Sequence, residues 1–196
     1  MTEVVEQFSR RSVDRRERGF TLVELLIVMA LTGILIAVAL PQLNQFSASR
    51  AMTAHISLLA SAMRLARSEA IKSGTRVSIC PSLDPEALAG PACTGGANDW
   101  ASGWVIFTDL GAVGAIDGTD RVIRVQGPLQ DSGGIQSQGG VTVNFFPNGI
   151  ALGAQRTFNF LPLMSATAPG YSEAAQRMCL DNAGSTKRRK FSENCP

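Results

Sequence analysis

The chain has 196 residues, a formal net charge of +2 and four cysteines. That length holds one ordinary domain plus a long helix, with enough chain for a real core. A charge this close to zero singles out no partner. No two cysteines form a C-x-x-C pair, which disfavours a zinc ribbon.

Residues 1–19 are polar, with Arg10, Arg11, Arg15, Arg16 and Arg18 set against Glu3, Glu6, Asp14 and Glu17. Phe20 to Leu40 then reads FTLVELLIVMALTGILIAVAL. At 1.5 Å rise per residue this makes a helix of about 31 Å, the thickness of a bilayer core. Glu24 stands one turn inside it, and a carboxylate at the centre of a membrane helix costs on the order of 3 kcal/mol. Arginines before an apolar run fit a single anchor with its basic side in the cytoplasm. A cleaved secretory signal fits less well: its apolar region is shorter and ends in small residues, whereas Gly19 lies before the run.

Arg18-Gly19-Phe20-Thr21-Leu22-Val23-Glu24 resembles the processing site of type IV prepilins and type II secretion pseudopilins. The resemblance implies that 1–19 is a leader, that a prepilin peptidase cuts after Gly19, and that Phe20 is N-methylated. It also gives Glu24 a role in fibre assembly. The implied location is the inner membrane, as a single-pass protein with its head in the periplasm, and later a pilus or pseudopilus fibre of pilin or pseudopilin subunits.

Pro41 follows the apolar run, and a kink is expected there. Helical periodicity resumes directly afterwards. Met52, Ile56, Leu59, Met63, Ala66 and Ala70 recur at spacings of four and three, with Leu58, Ala62 and Leu65 widening the stripe. Gly74 is a natural helix stop. One kinked helix over 20–73 is expected, with 20–40 transmembrane. A coiled coil competes with this reading, but the stripe is short and rich in small residues.

Beyond Gly74 the period changes. Residues 75–80, 103–108, 121–126, 141–146, 156–161 and 176–180 have the alternation of strands, and Pro147-Asn148-Gly149 supplies a turn. Residues 81–96 and 109–120 are loops rich in Gly, Pro or Asp. A long helix followed by antiparallel hairpins makes an α+β fold, with 75–196 as a β-rich globular head on the helix. Trp100-Ala-Ser-Gly103-Trp104-Val-Ile-Phe-Thr-Asp109 and Asn144-Phe145-Phe146-Pro147-Asn148-Gly149 resemble the FimT/GspH branch of minor pilins.

An extracytoplasmic head permits disulfides. Cys80 with Cys93 and Cys179 with Cys195 are favoured among the three possible pairings because each closes a short loop. No catalytic set is visible and no cofactor is implied; the expectation is a protein that is not an enzyme. His55, the only histidine, reads as a solvated or helix-packing residue. Asp109, Asp117 and Asp120 lack the EF-hand pattern and read as turn residues rather than metal ligands. Trp104 shares a strand face with Ile106 and belongs in a core, while Trp100 lies in a loop and stays unassigned.

The last segment places Lys187, Arg188, Arg189 and Lys190 in succession, with Arg177 upstream, inside the Cys179–Cys195 loop. Such a run is either a solvated loop or an electrostatic footprint for nucleic-acid phosphates. The resemblance bears on this choice, since some FimT-like minor pilins capture double-stranded DNA for natural transformation through a basic segment after a Gly. There the basic residues follow as Gly-Arg-x-Arg. Here Gly184 is followed by Ser185-Thr186 before Lys187.

Overall fold

The computed structural model describes residues 19–152 and 155–196. The leader expected over 1–19 therefore lies outside the described residues except for Gly19. Within the helix, the side chains of 38–42 and 44 are also outside them, as is that of 152. The chain divides into two compact units, Met1–Leu40 and Pro41–Pro196. Helix α1 is assigned over Leu22–Ser73. A kink at Pro41 is a relation between the two units and lies outside the described geometry.

In the first unit every described side chain from Phe20 to Ala37 is exposed. Thr32 returns its hydroxyl to the Val28 carbonyl at 2.7 Å, so the polar group inside this apolar run is satisfied within the helix. Among the described residues no helix is long and apolar enough to cross a membrane. The span expected over 20–40 includes residues 38–40, whose side chains are outside the described set.

In the second unit α1 buries the predicted stripe. Met52, Leu59, Met63, Ala66 and Ala70 have no exposed surface, and Ile56 has almost none. The helix stops at Gly74, which takes φ +65° and donates its N–H to Ala70, a left-handed end that favours glycine.

Among the described residues nine strands follow: β1 Val77–Pro81, β2 Trp104–Thr108, β3 Val122–Gln126, β4 Ser132–Gln138, β5 Val143–Phe145, β6 Ala151–Leu152, β7 Arg156–Pro162, β8 Gln176–Leu180 and β9 Thr186–Lys190. A short helix α2, Tyr171–Ala174, precedes β8. They form two antiparallel sheets, ordered β3-β2-β1-β5-β6 and β4-β7-β8-β9. The β5–β6 hairpin turns where predicted, with Gly149 at φ +78° donating to the Phe146 carbonyl.

The stripe of α1, the inner residues Val77, Ile79, Trp104 and Ile106 of the first sheet, and Phe158, Phe160, Met178 and Leu180 of the second form one core. The opposite face of the first sheet is buried as well. Cys80, Val105 and Phe107 are covered by Cys93, Ile116 and Val122. The 81–99 and 109–120 loops thus form a lid over that face, and the Cys80–Cys93 bridge, with Cα atoms 5.5 Å apart, fastens the first of them.

Candidate functional site

Two regions carry the residues singled out above. The first is the start of α1. Gly19 and Phe20 precede the helix in exposed, non-helical chain. Thr21 begins it, its Oγ1 accepting the Glu24 N–H at 3.2 Å. Thr21 and Glu24 thus have the spacing of a capping box, and the carboxylate sits in the first turn, where the helix dipole favours negative charge. The bond between Gly19 and Phe20 is therefore accessible, with a defined helix start two residues beyond it. The cap was legible as T-x-x-E, but the apolar run concealed it.

The second region is the basic run. It is not a loop: Thr186–Lys190 is strand β9, paired with β8 through Gln176↔Lys190, Arg177↔Arg189, Met178↔Arg188, Cys179↔Lys187 and Leu180↔Thr186. The turn between them uses Gly184 at φ +72°, whose N–H bonds to the Asp181 carbonyl, while the Asp181 N–H bonds to Ser185. A left-handed glycine after a tight turn fixes this register. Directly opposed residues share a face. Lys187 and Arg189 therefore lie on the outer face with Cys179 and Arg177. Arg188 and Lys190 lie on the inner face with Met178 and Gln176, beyond the rim of the core. All four cations are exposed, and β9 is the edge of its sheet. Charged side chains on an edge strand discourage indiscriminate pairing with other chains.

Arg177 differs from the other four. It is half-buried. Its Nε donates to Asn159 Oδ1 at 2.9 Å, and its Nη1 donates to the Glu193 carbonyl at 2.6 Å and to Asn194 Oδ1 at 3.3 Å. Its guanidinium also lies 5.4 Å from the Phe191 ring centroid. Arg177 thus holds down the chain after β9 instead of presenting its charge. Cys179 and Cys195, Cα atoms 5.6 Å apart, tie the same segment to β8. Arg189 reaches Glu193 at 3.7 Å, an exposed pair that contributes little. Asn159, Phe191 and Asn194 were not foreseen as supports. Only the cysteines signalled in sequence that this segment folds back.

Beside the inner face of β9 lies a groove of about 770 Å3, lined by Ser49 of α1, Glu173, Gln176, Arg188, Lys190 and Phe191 among others. Gln176 is 5% exposed. Its Nε2 donates to Thr53 Oγ1 at 3.4 Å, and its Oε1 has no partner. An amide flip does not relieve this, because the Thr53 hydroxyl already donates to the Ser49 carbonyl.

The remaining candidates resolve as structural. Asp109 is buried, accepting from Arg76 at 2.8 Å and from the Gly114 N–H at 2.8 Å, and Ser78 donates to it as well. Asp117 and Asp120 accept backbone N–H groups within their own loop. Thr119, by its hydroxyl and its N–H, holds the Asp117 carboxyl below its usual range. Among the described residues no cluster of His, Cys, Asp or Glu is arranged for a metal ion. His55 is buried against the 130–131 segment, and Trp100 and Trp104 are both core residues. Trp100 meets Phe158 edge-on at 5.2 Å.

The family described as type II transport protein GspH matches residues 55–184, and the prokaryotic N-terminal methylation motif matches residues 14–40. The chain is 40% identical over 63 residues to a fimbrial protein of Pseudomonas aeruginosa, a segment covering 32% of this chain and 40% of that protein. It is 41% identical over 76 residues to the type IV major pilin protein PilE1 of Neisseria gonorrhoeae, covering 39% and 34% respectively. The chain thus spans well under two thirds of the length of these curated relatives. The crystal structure of the type IV minor pilin FimU of P. aeruginosa superposes with a TM-score of 0.56 at 17% identity, over 76% of this chain and 95% of that one. That likeness concerns the fold: a long N-terminal helix followed by antiparallel sheets. With the family match running through the helix stripe, both sheets and the β8–β9 turn, the chain belongs to the GspH family of type IV pilin-like proteins.

Proposed function

We propose that this chain is a minor pilin, a low-copy subunit of a type IV pilus, and that its role is structural rather than enzymatic and needs no cofactor. The observation that carries this is Gly19-Phe20 in exposed chain ahead of a capped helix start whose described apolar side chains, up to Ala37, are all exposed. So much unpartnered apolar surface requires lipid or other helices around it. The precursor is held in the inner membrane by 20–40, with the head in the periplasm. Prepilin peptidase cuts after Gly19, and the helix then moves into a bundle of neighbouring subunits. There Glu24 pairs with the methylated amine of Phe20 on a neighbour, which offsets part of the cost of burying both charges.

The finer role we assign to the head is capture of double-stranded DNA by phosphate contacts from Lys187, Arg188, Arg189 and Lys190. A second reading, a pseudopilin of a type II secretion system, is favoured by the description of the matched family.

Mass spectrometry of the mature subunit tests the first step. N-methyl-Phe20 at its start is the expected result, and an intact Met1 terminus in purified filaments overturns the pilin reading. Glu24→Gln tests the second step, since glutamine keeps the capping geometry and removes the charge. The variant is expected to be processed normally and to incorporate poorly. Normal incorporation would leave Glu24 with its capping role alone.

A further inference from the structure

β9 pairs on one side only. The Asp181 N–H to Ser185 carbonyl bond sets the phase of its ladder. Hydrogen-bonded pairs alternate in an antiparallel ladder, so Lys187 and Arg189 turn their backbone groups toward β8. Thr186, Arg188 and Lys190 turn theirs to the open side. The Lys190 carbonyl is used by Glu193, which leaves the N–H and C=O of Thr186 and Arg188 and the N–H of Lys190 along the free edge. The groove runs beside this edge, and the buried Gln176 that lines it holds an acceptor with no donor.

We propose that the free edge of β9 and the adjoining groove seat an extended, acidic peptide segment of a partner protein, added as a fifth strand beyond β9. A strand supplies what each orphan group lacks. Its alternating N–H and C=O groups complete the ladder, as in other strand-addition complexes. Every second residue points into the groove, where Arg188, Arg189 and Lys190 outnumber Glu173 and Glu193 and favour carboxylates. Duplex DNA offers phosphate oxygens to the cations but no row of donors for the carbonyls of the edge. The two ligands share Arg188 and Lys190, but only a strand uses the backbone row of the edge. Lys187 stands on the outer face and does not line the groove, whereas Arg189 reaches it beside Glu193. The strand-addition site therefore does not depend on the DNA reading.

The test uses the full chain in detergent micelles and a labelled peptide alternating glutamate and valine over about eight residues, the span of an ordinary strand. Its controls carry lysine for glutamate, or N-methyl groups on alternate amides. The acidic peptide is expected to bind, the lysine peptide not to bind, and the N-methylated peptide to bind about tenfold more weakly. Arg188→Gln with Lys190→Gln is expected to weaken binding about tenfold, and Lys187→Gln to leave it within about twofold. The peptide is also expected to slow hydrogen exchange at the Arg188 amide. Equal binding of the N-methylated peptide reduces the site to plain charge and overturns strand addition. A loss on Lys187→Gln with none on Arg188→Gln and Lys190→Gln overturns it too. The N-methylated probe needs no protein variant, so a misfolded mutant cannot decide the outcome. DNA binding is scored separately, so either reading can fail alone.

Discussion

His55 illustrates how a single buried group sets a condition on the whole head. The residue is 8% exposed and its Nδ1 has no partner. Burial pushes its pKa below the ordinary value; the Gln130 backbone and the Asp131 carboxylate pull it back only in part. The unfolded chain's histidine protonates near pH 6.5, roughly its value in free peptides, while the native one protonates at lower pH. Stability is therefore fully present above about pH 6.5 and declines as pH falls through that value, because the unfolded state binds the proton first. Thermal midpoints of wild type and His55→Gln at about pH 7.5 and about pH 5.5 test this. The wild type should lose more than the variant, and parallel losses would show that another group governs the pH dependence. The sequence offered His55 as a solvated or helix-packing residue. The second alternative describes it, since it lies one position before Ile56 of the buried stripe. The spacing of apolar residues alone could not reveal the 130–131 segment that closes over it.

At the scale of elements, legibility followed burial. The helix stripe and β2 announced themselves because one face of each is apolar and packed. β4 and β9 did not. β4 reads SGGIQSQ, with Ile135 alone reaching the core, and β9 reads TKRRK, with both faces at the solvent. Neither has an apolar alternation to recognise, because tertiary pairing rather than side-chain pattern holds an edge strand in place. The disulfide pairing was favoured from short loop length, yet the bridge at Cys179 does more than close a loop. It spans β9 to fasten the chain after it, beside the Arg177 clamp. The strand assignment makes a prediction that a loop does not share. In hydrogen exchange, the Lys187 and Arg189 amides should be protected by β8, while Arg188 and Lys190 exchange freely. Uniformly fast exchange over 186–190 would restore the loop expected from the sequence. Removing the bridge with Cys179→Ser and Cys195→Ser should cost about 3 kcal/mol for a loop of this size and speed exchange at Arg189 before it reaches the core strands.

For the whole molecule, the informative quantity is where charge sits rather than how much there is. A formal +2 spread over 196 residues predicts no affinity for nucleic acid, yet four cations stand on one exposed edge strand, and among the described residues Glu193 alone of the carboxylates pairs with any of them. Arg177, counted from sequence among the candidate contacts, is engaged elsewhere, so the footprint shrinks to four phosphates. Each neutralised phosphate contributes about −0.9 to the slope of log affinity against log salt, which gives a slope of about −3.6. Between about 50 mM and 200 mM salt, affinity for duplex DNA should fall roughly a hundredfold, without sequence preference. Changing Lys187, Arg188, Arg189 and Lys190 together to Gln should abolish binding and flatten the slope, while the fold and incorporation into filaments persist. Arg177→Gln should leave the slope unchanged and weaken binding only as far as it loosens the 191–196 segment. A gel-shift titration at two ionic strengths separates these outcomes. Weak binding by one head still serves capture when several copies on a fibre engage one duplex, since linked sites raise the effective concentration of each. If the full chain shows no binding even at low salt, the cations of β9 are a solvated edge with respect to DNA, and the secretion pseudopilin becomes the better reading of this member of the family.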